Sequence, residues 1–358
     1  MTRRSPRDFG SAAAATVEMR RRFGLWQLVL LGIGALLVWV ALREVQWPVL
    51  VELLAGLGLR SVAMILLISV VLLPLMTARW WWLLRLLGRP IGLSKLVAYR
   101  TAANAVGYFT PGPQFGGEPL LVLLLHRQHS LPTLTATLSV VLDRLLELIA
   151  GFAILLGSLA LASNSQATLS VGTGLIILLA TAAALGGLLA ALLTGGRPFS
   201  LLLTLGAGLF LRWWPEKADQ LLPTIEAVVD GEVMAEKVFR TAKGQLLAAN
   251  LFSLLHWIGV FAESWLFCYL FGYSLTIGQL AAVVVAMRLA FLTPLPAGVG
   301  ALEIALGWVT TTLGLGPALG IGVCLVVRAR DLLFGLAGMV LSVKYLADIR
   351  KSSMLDEK

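Results

Sequence analysis

Two short segments carry the residue types from which a binding site inside a membrane could be built, and they repeat. Residues 109–119 read FTPGPQFGGEP, and residues 292–303 read LTPLPAGVGALE. Each contains Thr-Pro-x-Pro, then glycines, then a glutamate. The first copy has Thr110, Pro111, Pro113, Gly116, Gly117 and Glu118; the second has Thr293, Pro294, Pro296, Gly298, Gly300 and Glu303. An arginine follows in the next apolar stretch, Arg144 after the first copy and either Arg328 or Arg330 after the second. Proline removes a backbone donor and glycine loosens the chain, so neither segment can continue a helix. Helices broken at matching places in two halves of a membrane protein point to a transporter's binding site.

Two kinds of chemistry are open to these residues. Glu118, followed by Pro119, has the position of an N-cap with proline at the first helical residue. Glu303 falls in the first turn of the helix that follows, where a negative charge meets the positive end of the dipole. The same carboxylates at broken helix ends are also candidate protonation sites. The glycines leave backbone N–H groups accessible to a phosphate or carboxylate, or they serve only tight turns and close packing.

Further charges lie in or near apolar sequence: Arg100, Asp143, Arg144, Glu147, Glu263, Arg288, Arg328, Arg330 and Asp331. Each costs about 2.5–3.5 kcal/mol at the centre of an inserted helix, so such residues pair, face a cavity, or do both. Asp143 adjoins Arg144 and Arg330 adjoins Asp331. Neighbours on a helix do not face each other, so their partners are expected on other segments.

The elements that must position these groups follow from composition. The chain of 358 residues is 58% hydrophobic and 13% charged, with a mean hydropathy of +0.89. That composition makes an all-α polytopic membrane protein. Its net charge of +9 resides in loops and tails, as the positive-inside rule requires. No aromatic-basic motif accompanies it, so nucleic acid is not an expected partner. Cys268 and Cys324 fall within apolar stretches and read as packing residues. His126, His129 and His256 lack metal-ligand spacing. Neither a metal, a cofactor nor a nucleophile–base set is suggested, and an enzyme is not expected.

A basic tail, 1–24, precedes a retained first span at 25–42, too long for a signal-peptide core. Further spans are expected at 61–84, ending in an interfacial cluster Trp80-Trp81-Trp82, and at 134–162, 169–193, 245–271 and 318–346. The pieces around the two broken segments, 95–125 and 277–313, are too short to cross about 30 Å of hydrocarbon twice. They are expected to be re-entrant hairpins. Lys95, Arg127, Lys237, Arg240 and Lys344 fall on one side of this topology and only Arg43 and Arg60 on the other. Three full spans separate the hairpins, which makes the duplication inverted. A single domain, 25–346, results: repeat 1 at about 61–193, an amphipathic segment at 197–243, and repeat 2 at about 245–346. In the amphipathic segment Leu221, Leu222, Ile225, Val228 and Val229 recur at helical spacing. A cytoplasmic tail, 347–358, ends the chain.

Asn104, Pro111, Gly116-Gly117-Glu118, Asp143-Arg144, Pro294-x-Pro296, Gly298-x-Gly300, Glu303 and Arg328 or Arg330 together resemble the lysylphosphatidylglycerol synthase transmembrane-domain family of flippase-like proteins. The resemblance runs over about 25–346. It implies a multi-pass protein of the bacterial inner membrane, with both termini cytoplasmic, that moves a phospholipid or lipid-linked substrate by alternating access. Membrane lipids are then its partners, and lipid headgroup-modifying enzymes are further candidates. The implied substrate-binding set is Arg100, Asn104, Glu118, Asp143, Arg144, Arg288, Glu303, Arg328 and Arg330. The bifunctional relatives carry a soluble aminoacyl-transferase domain, and this sequence to Lys358 holds no counterpart of it, so no synthase activity is expected. A transporter of a small soluble anion and a non-catalytic membrane scaffold are the alternatives.

Overall fold

The computed structural model describes residues 47–109, 116–163, 218–293 and 295–356, with residue 204 and a few positions between 36 and 43. The expected spans 25–42 and 169–193 lie wholly or largely outside the described residues, as do Thr110, Pro111, Pro113 and Pro294.

Apart from one 3-10 turn, every regular element among the described residues is an α-helix. A short helix α1 (Trp47–Ala55) leads into α2 (Leu59–Leu86), α3 (Leu93–Phe109), α4 (Glu118–His129) and α5 (Thr133–Ser163). Further along the chain come α6 (Ala218–Thr241), α7 (Lys243–Leu270), α8 (Ile277–Phe291), the 3-10 turn Pro296–Gly298, α9 (Ala301–Thr312) and α10 (Pro317–Asp356). Among the described residues three helical stretches, Leu59–Leu86, Gly244–Leu270 and Pro317–Lys351, are long and apolar enough to cross a membrane. Their outer faces are apolar, with Leu67, Val70, Leu247, Ile258, Leu336 and Val340 all exposed. Such a surface suits a hydrocarbon solvent. α5 has comparable length but carries Asp143, Arg144 and Glu147 at its middle. α4 and α9 have 12 residues each, about 18 Å of helix, and cannot span alone.

The helix ends follow local chemistry. α8 starts in a capping box: the Gln279 N–H donates to Thr276 Oγ1 at 3.3 Å, and the Thr276 N–H donates to Gln279 Oε1 at 2.9 Å. Thr276→Ala should lower stability by about 1 kcal/mol, read as a lower midpoint of thermal denaturation in detergent. Gly300, at φ 85°, precedes α9, and its N–H donates to Glu303 Oε2 at 2.7 Å. At α4 the cap is Gly117, and Glu118 is the first helical residue with Pro119 behind it. Glu118 was expected one position earlier, as the cap itself. α4 runs on to His129, past the expected end at 125, and α10 continues through most of the expected tail.

The duplication extends far beyond the two broken segments. Adding 184 to the bounds of α2, 59 and 86, gives those of α7, 243 and 270. The same shift takes the starts of α3 and α5, 93 and 133, to those of α8 and α10, 277 and 317. α4 and α9 obey it to within one residue. α2 packs against α7, with Ser69 facing Glu263, Leu72 beside Gly259 and Arg79 facing Ser253. Numbers rise on one helix as they fall on the other, so these equivalent helices are antiparallel. α3 packs on α10, and reciprocally α8 packs on α5. Reciprocal contacts of this kind are those of a two-fold relation, here with its axis across the helices.

Each half keeps its own apolar core. Trp80, Leu96, Tyr99, Leu121, Leu125 and Val140 form one; Phe267, Cys268, Val283, Leu306, Leu319 and Cys324 form the other. The Trp80-Trp81-Trp82 cluster is therefore not uniformly interfacial. Trp80 is fully buried and donates to Ser139 Oγ at 3.3 Å. Trp82 donates to the Gln245 carbonyl at 3.0 Å, and Trp81 lies under Arg85. The amphipathic helix α6 turns Ala235 into a cluster with Leu83, Leu138, Leu142, Leu146 and Leu246. The C-terminal part of α6, at Met234, Ala235 and Val238, thus packs on protein.

Candidate functional site

Charges from both halves converge where α2, α3, α5, α7, α8 and α10 meet. Among them is Arg79 on α2, 3% exposed. Its Nε donates to Asp143 Oδ1 at 2.8 Å, Nη1 to Ser253 Oγ at 2.9 Å and Nη2 to Glu147 Oε2 at 3.3 Å. Asp143 also receives Arg100 Nη2 at 2.5 Å, and that guanidinium lies 5.1 Å from the Trp80 ring centre. Asp143 and Glu147 are four residues apart and therefore share one face of α5, which lets one arginine reach both.

Arg144 leaves the same helix on a neighbouring face. It donates to Glu147 at 2.7 Å, and its Nε stands 2.8 Å from Glu118 Oε1 without hydrogen-bond alignment. That contact is an ion pair. In the second half Arg328 holds Glu303 at 3.2 Å and donates to the Gly298 carbonyl at 3.0 Å and to the Ala297 carbonyl. Ala297 has φ 52°, an unusual conformation for a residue with a Cβ. The arginine thereby pins a strained turn. The partner glutamates decide the correspondence left open by the sequence: Arg144 with Glu118 matches Arg328 with Glu303, and 144 plus 184 is 328.

Arg330 has another task. It donates to Glu263 Oε2 at 2.5 Å and to its own neighbour Asp331 at 2.7 Å, while Ser69 donates to the other Glu263 oxygen at 2.6 Å. The pairing of Arg330 with Asp331 departs from the expectation that adjacent residues seek other segments. The guanidinium is long enough to curl back over the helix surface.

These groups surround a cavity of about 250 Å³. Arg144, Glu147, Glu263, Arg288, Arg330 and Asp331 supply its charges. Asn104, Thr101 and Tyr108 on α3, with His256 on α7, add polar wall. A second, apolar chamber of about 130 Å³ adjoins it. The two share Arg144, Glu147, Arg288 and Phe291, and Leu148, Phe152, Leu155 and Trp257 line the chamber beyond. Leu292, also on its wall, is 43% exposed.

Of the residues expected at a site, Asn104, Arg144, Arg288 and Arg330 line the cavity. Arg100, Asp143, Glu118, Glu303 and Arg328 stand behind it, in contacts that hold the lining helices and the breaks. Gly116 and Gly117 lie at the first break; Thr293, Pro296, Gly298 and Gly300 lie at the second. In the sequence Glu147, Glu263 and Asp331 stand out only as misplaced charges, and nothing there assigns Arg79 or His256 to a site. For Arg79 the adjoining tryptophans masked the signal, because they suggest an interface. The 184-residue shift was legible in principle: it takes Arg79 to Glu263, Asn104 to Arg288 and Glu147 to Asp331.

The family model for the lysylphosphatidylglycerol synthase TM region matches residues 25–338. The chain belongs to this family. Neither a curated protein nor a solved structure matches it. Membership makes the chain a multi-pass membrane protein related to lipid handling. Among the described residues no cluster of histidine, cysteine or carboxylate side chains could hold a metal ion.

Proposed function

We propose that this domain moves a lipid with a polar, phosphate-bearing headgroup across a bacterial inner membrane, both termini facing the cytoplasm. The observation that carries the reading is the junction of a charged cavity with an apolar chamber through a common wall of Arg144, Glu147, Arg288 and Phe291. A headgroup needs the first environment and an acyl chain the second. Ion pairs that neutralise most of the lining keep the cost of so much buried charge bearable. The antiparallel packing of equivalent helices supports alternating access: two inverted halves can exchange conformations and present one site to each leaflet. α3–α4 and α8–α9 act here as re-entrant hairpins. The activity is transport, with no bond made or broken, although headgroup-modifying enzymes are natural neighbours.

Filling the chamber tests this reading. Leu148 lines it and is only partly buried, so Leu148→Trp adds bulk there at modest cost to folding. Native mass spectrometry of the purified wild type should retain a phospholipid enriched over the bulk membrane, and Leu148→Trp should reduce that retention about tenfold. Retention that mirrors bulk lipid in both proteins would overturn the lipid reading and favour a soluble anion.

A further inference from the structure

The hydrogen-bond accounts of the cavity wall do not balance, and the deficit centres on a buried guanidinium and an imidazole. Every carboxylate on the wall is engaged: Glu147 by Arg79 and Arg144, Glu263 by Ser69 and Arg330, Asp331 by Arg330. The buried side-chain atoms of the wall that lack a hydrogen-bond partner are all nitrogens: Arg144 Nε, His256 Nδ1 and Arg288 Nε. Arg144 Nε still has the Glu118 carboxylate beside it. His256 and Arg288 have no such relief. Arg288 has no carboxylate within ion-pair distance among the described residues, and its guanidinium rests 4.8 Å from the Trp257 ring centre. A cation–π contact offsets part of the desolvation of an arginine but accepts none of its N–H bonds in the ring plane. His256 and Arg288 both line the charged cavity.

Buried donors without acceptors are costly, and native structures leave few of them. From this we infer that Arg288 and His256 form an oxyanion subsite, and that the ligand must bring several acceptor oxygens on one negatively charged group. A phosphate ester or phosphodiester fits: Arg288 supplies a permanent charge and a donor fork, and His256, as the Nδ1–H tautomer, a single donor. The Trp257 ring packs against the guanidinium. Arg330 is a poorer anchor, since Glu263 and Asp331 already occupy it. A neutral carbonyl would accept one of these bonds without answering the charge, and an ammonium would accept none. This assignment rests on the cavity being the transport site, and it names the group on the substrate that the site would grip.

The test is binding to the purified full chain in detergent, by calorimetry, of three probes: dioctanoyl-phosphatidylglycerol, dioctanoylglycerol and inorganic phosphate. The phosphodiester should bind at least about tenfold more tightly than dioctanoylglycerol, which lacks the anion. Arg288→Gln and His256→Leu should each weaken the phosphodiester about tenfold or more, the loss expected for a hydrogen bond to a charged group, and leave dioctanoylglycerol unchanged. Arg288→Lys, which keeps the charge without the fork, should fall between and serves if the glutamine variant does not fold. Inorganic phosphate that binds as tightly as the phospholipid, with the same sensitivity to both variants, keeps the subsite and overturns the lipid as its source. Phosphodiester binding that survives in both variants overturns the subsite and leaves the lipid reading standing. No binding of any probe to the wild type overturns both.

Discussion

Arg79→Met should destabilise the protein by about 3–5 kcal/mol, the cost of removing one partner from a buried ion pair and leaving the other behind. Three acceptors lose their donor at once: Asp143, Glu147 and Ser253. Asp143 keeps Arg100 and Glu147 keeps Arg144, which holds the loss within that range. Methionine restores the apolar volume, so the effect measures charge and hydrogen bonding rather than a cavity. Arg79→Lys should recover only part of the stability, because one ammonium cannot reach three acceptors on two helices with the geometry of a guanidinium. Thermal denaturation in detergent, followed by tryptophan fluorescence, reads both variants. Wild-type midpoints in both would mean that Arg79 does not hold α2 to α5 and α7.

Gly338→Ala should also destabilise, against the usual trend for a helical glycine. Alanine gains about 1 kcal/mol of helix propensity over glycine. At this position, however, a Cβ would lie 2.3 Å from the Thr101 carbonyl oxygen and 2.7 Å from Ala105 Cβ. The first of these atoms is backbone and cannot rotate away. Overpacking costs typically about 1–3 kcal/mol and here has no flexible neighbour to absorb it, so the upper part of that range applies and the net change is a loss of up to about 2 kcal/mol. The crossing is further fixed by Ser342, which donates to the Ala102 carbonyl at 2.9 Å. Because α3 also carries Asn104 to the cavity, Gly338→Leu should both lower the denaturation midpoint further and reduce lipid retention in native mass spectrometry. A midpoint at or above wild type for Gly338→Ala would show that α3 and α10 do not approach this closely.

Much of this organisation was legible beforehand because lipid constrains a sequence more tightly than water does. Unbroken apolar runs marked α2, α7 and α10 to within a few residues at their starts, since a spanning helix has no other way to satisfy its backbone. Proline and glycine marked the breaks for the same reason in reverse. The misplaced charges could be found, since each is expensive where it stands. Which charge met which could not be read in the same way. Arg79 sits beside three tryptophans and looks interfacial, yet it is nearly sealed from solvent.

The sequence by itself determined that this is an all-helical membrane protein of two related halves, with broken helices at matching places and arginines and carboxylates buried among apolar residues. Composition, periodicity and local backbone chemistry act over a few turns of chain and are written in it directly. Only the tertiary structure decided that Arg328 pairs with Glu303 as Arg144 does with Glu118, that Arg100 serves as a support, and that α2 and α7 run antiparallel. It also decided that the polar deficit of the cavity lies at Arg288 and His256. Those outcomes depend on helices far apart in sequence meeting at one register, where a shift of a single residue, about 100° around a helix, exchanges a cavity wall for a packed interior.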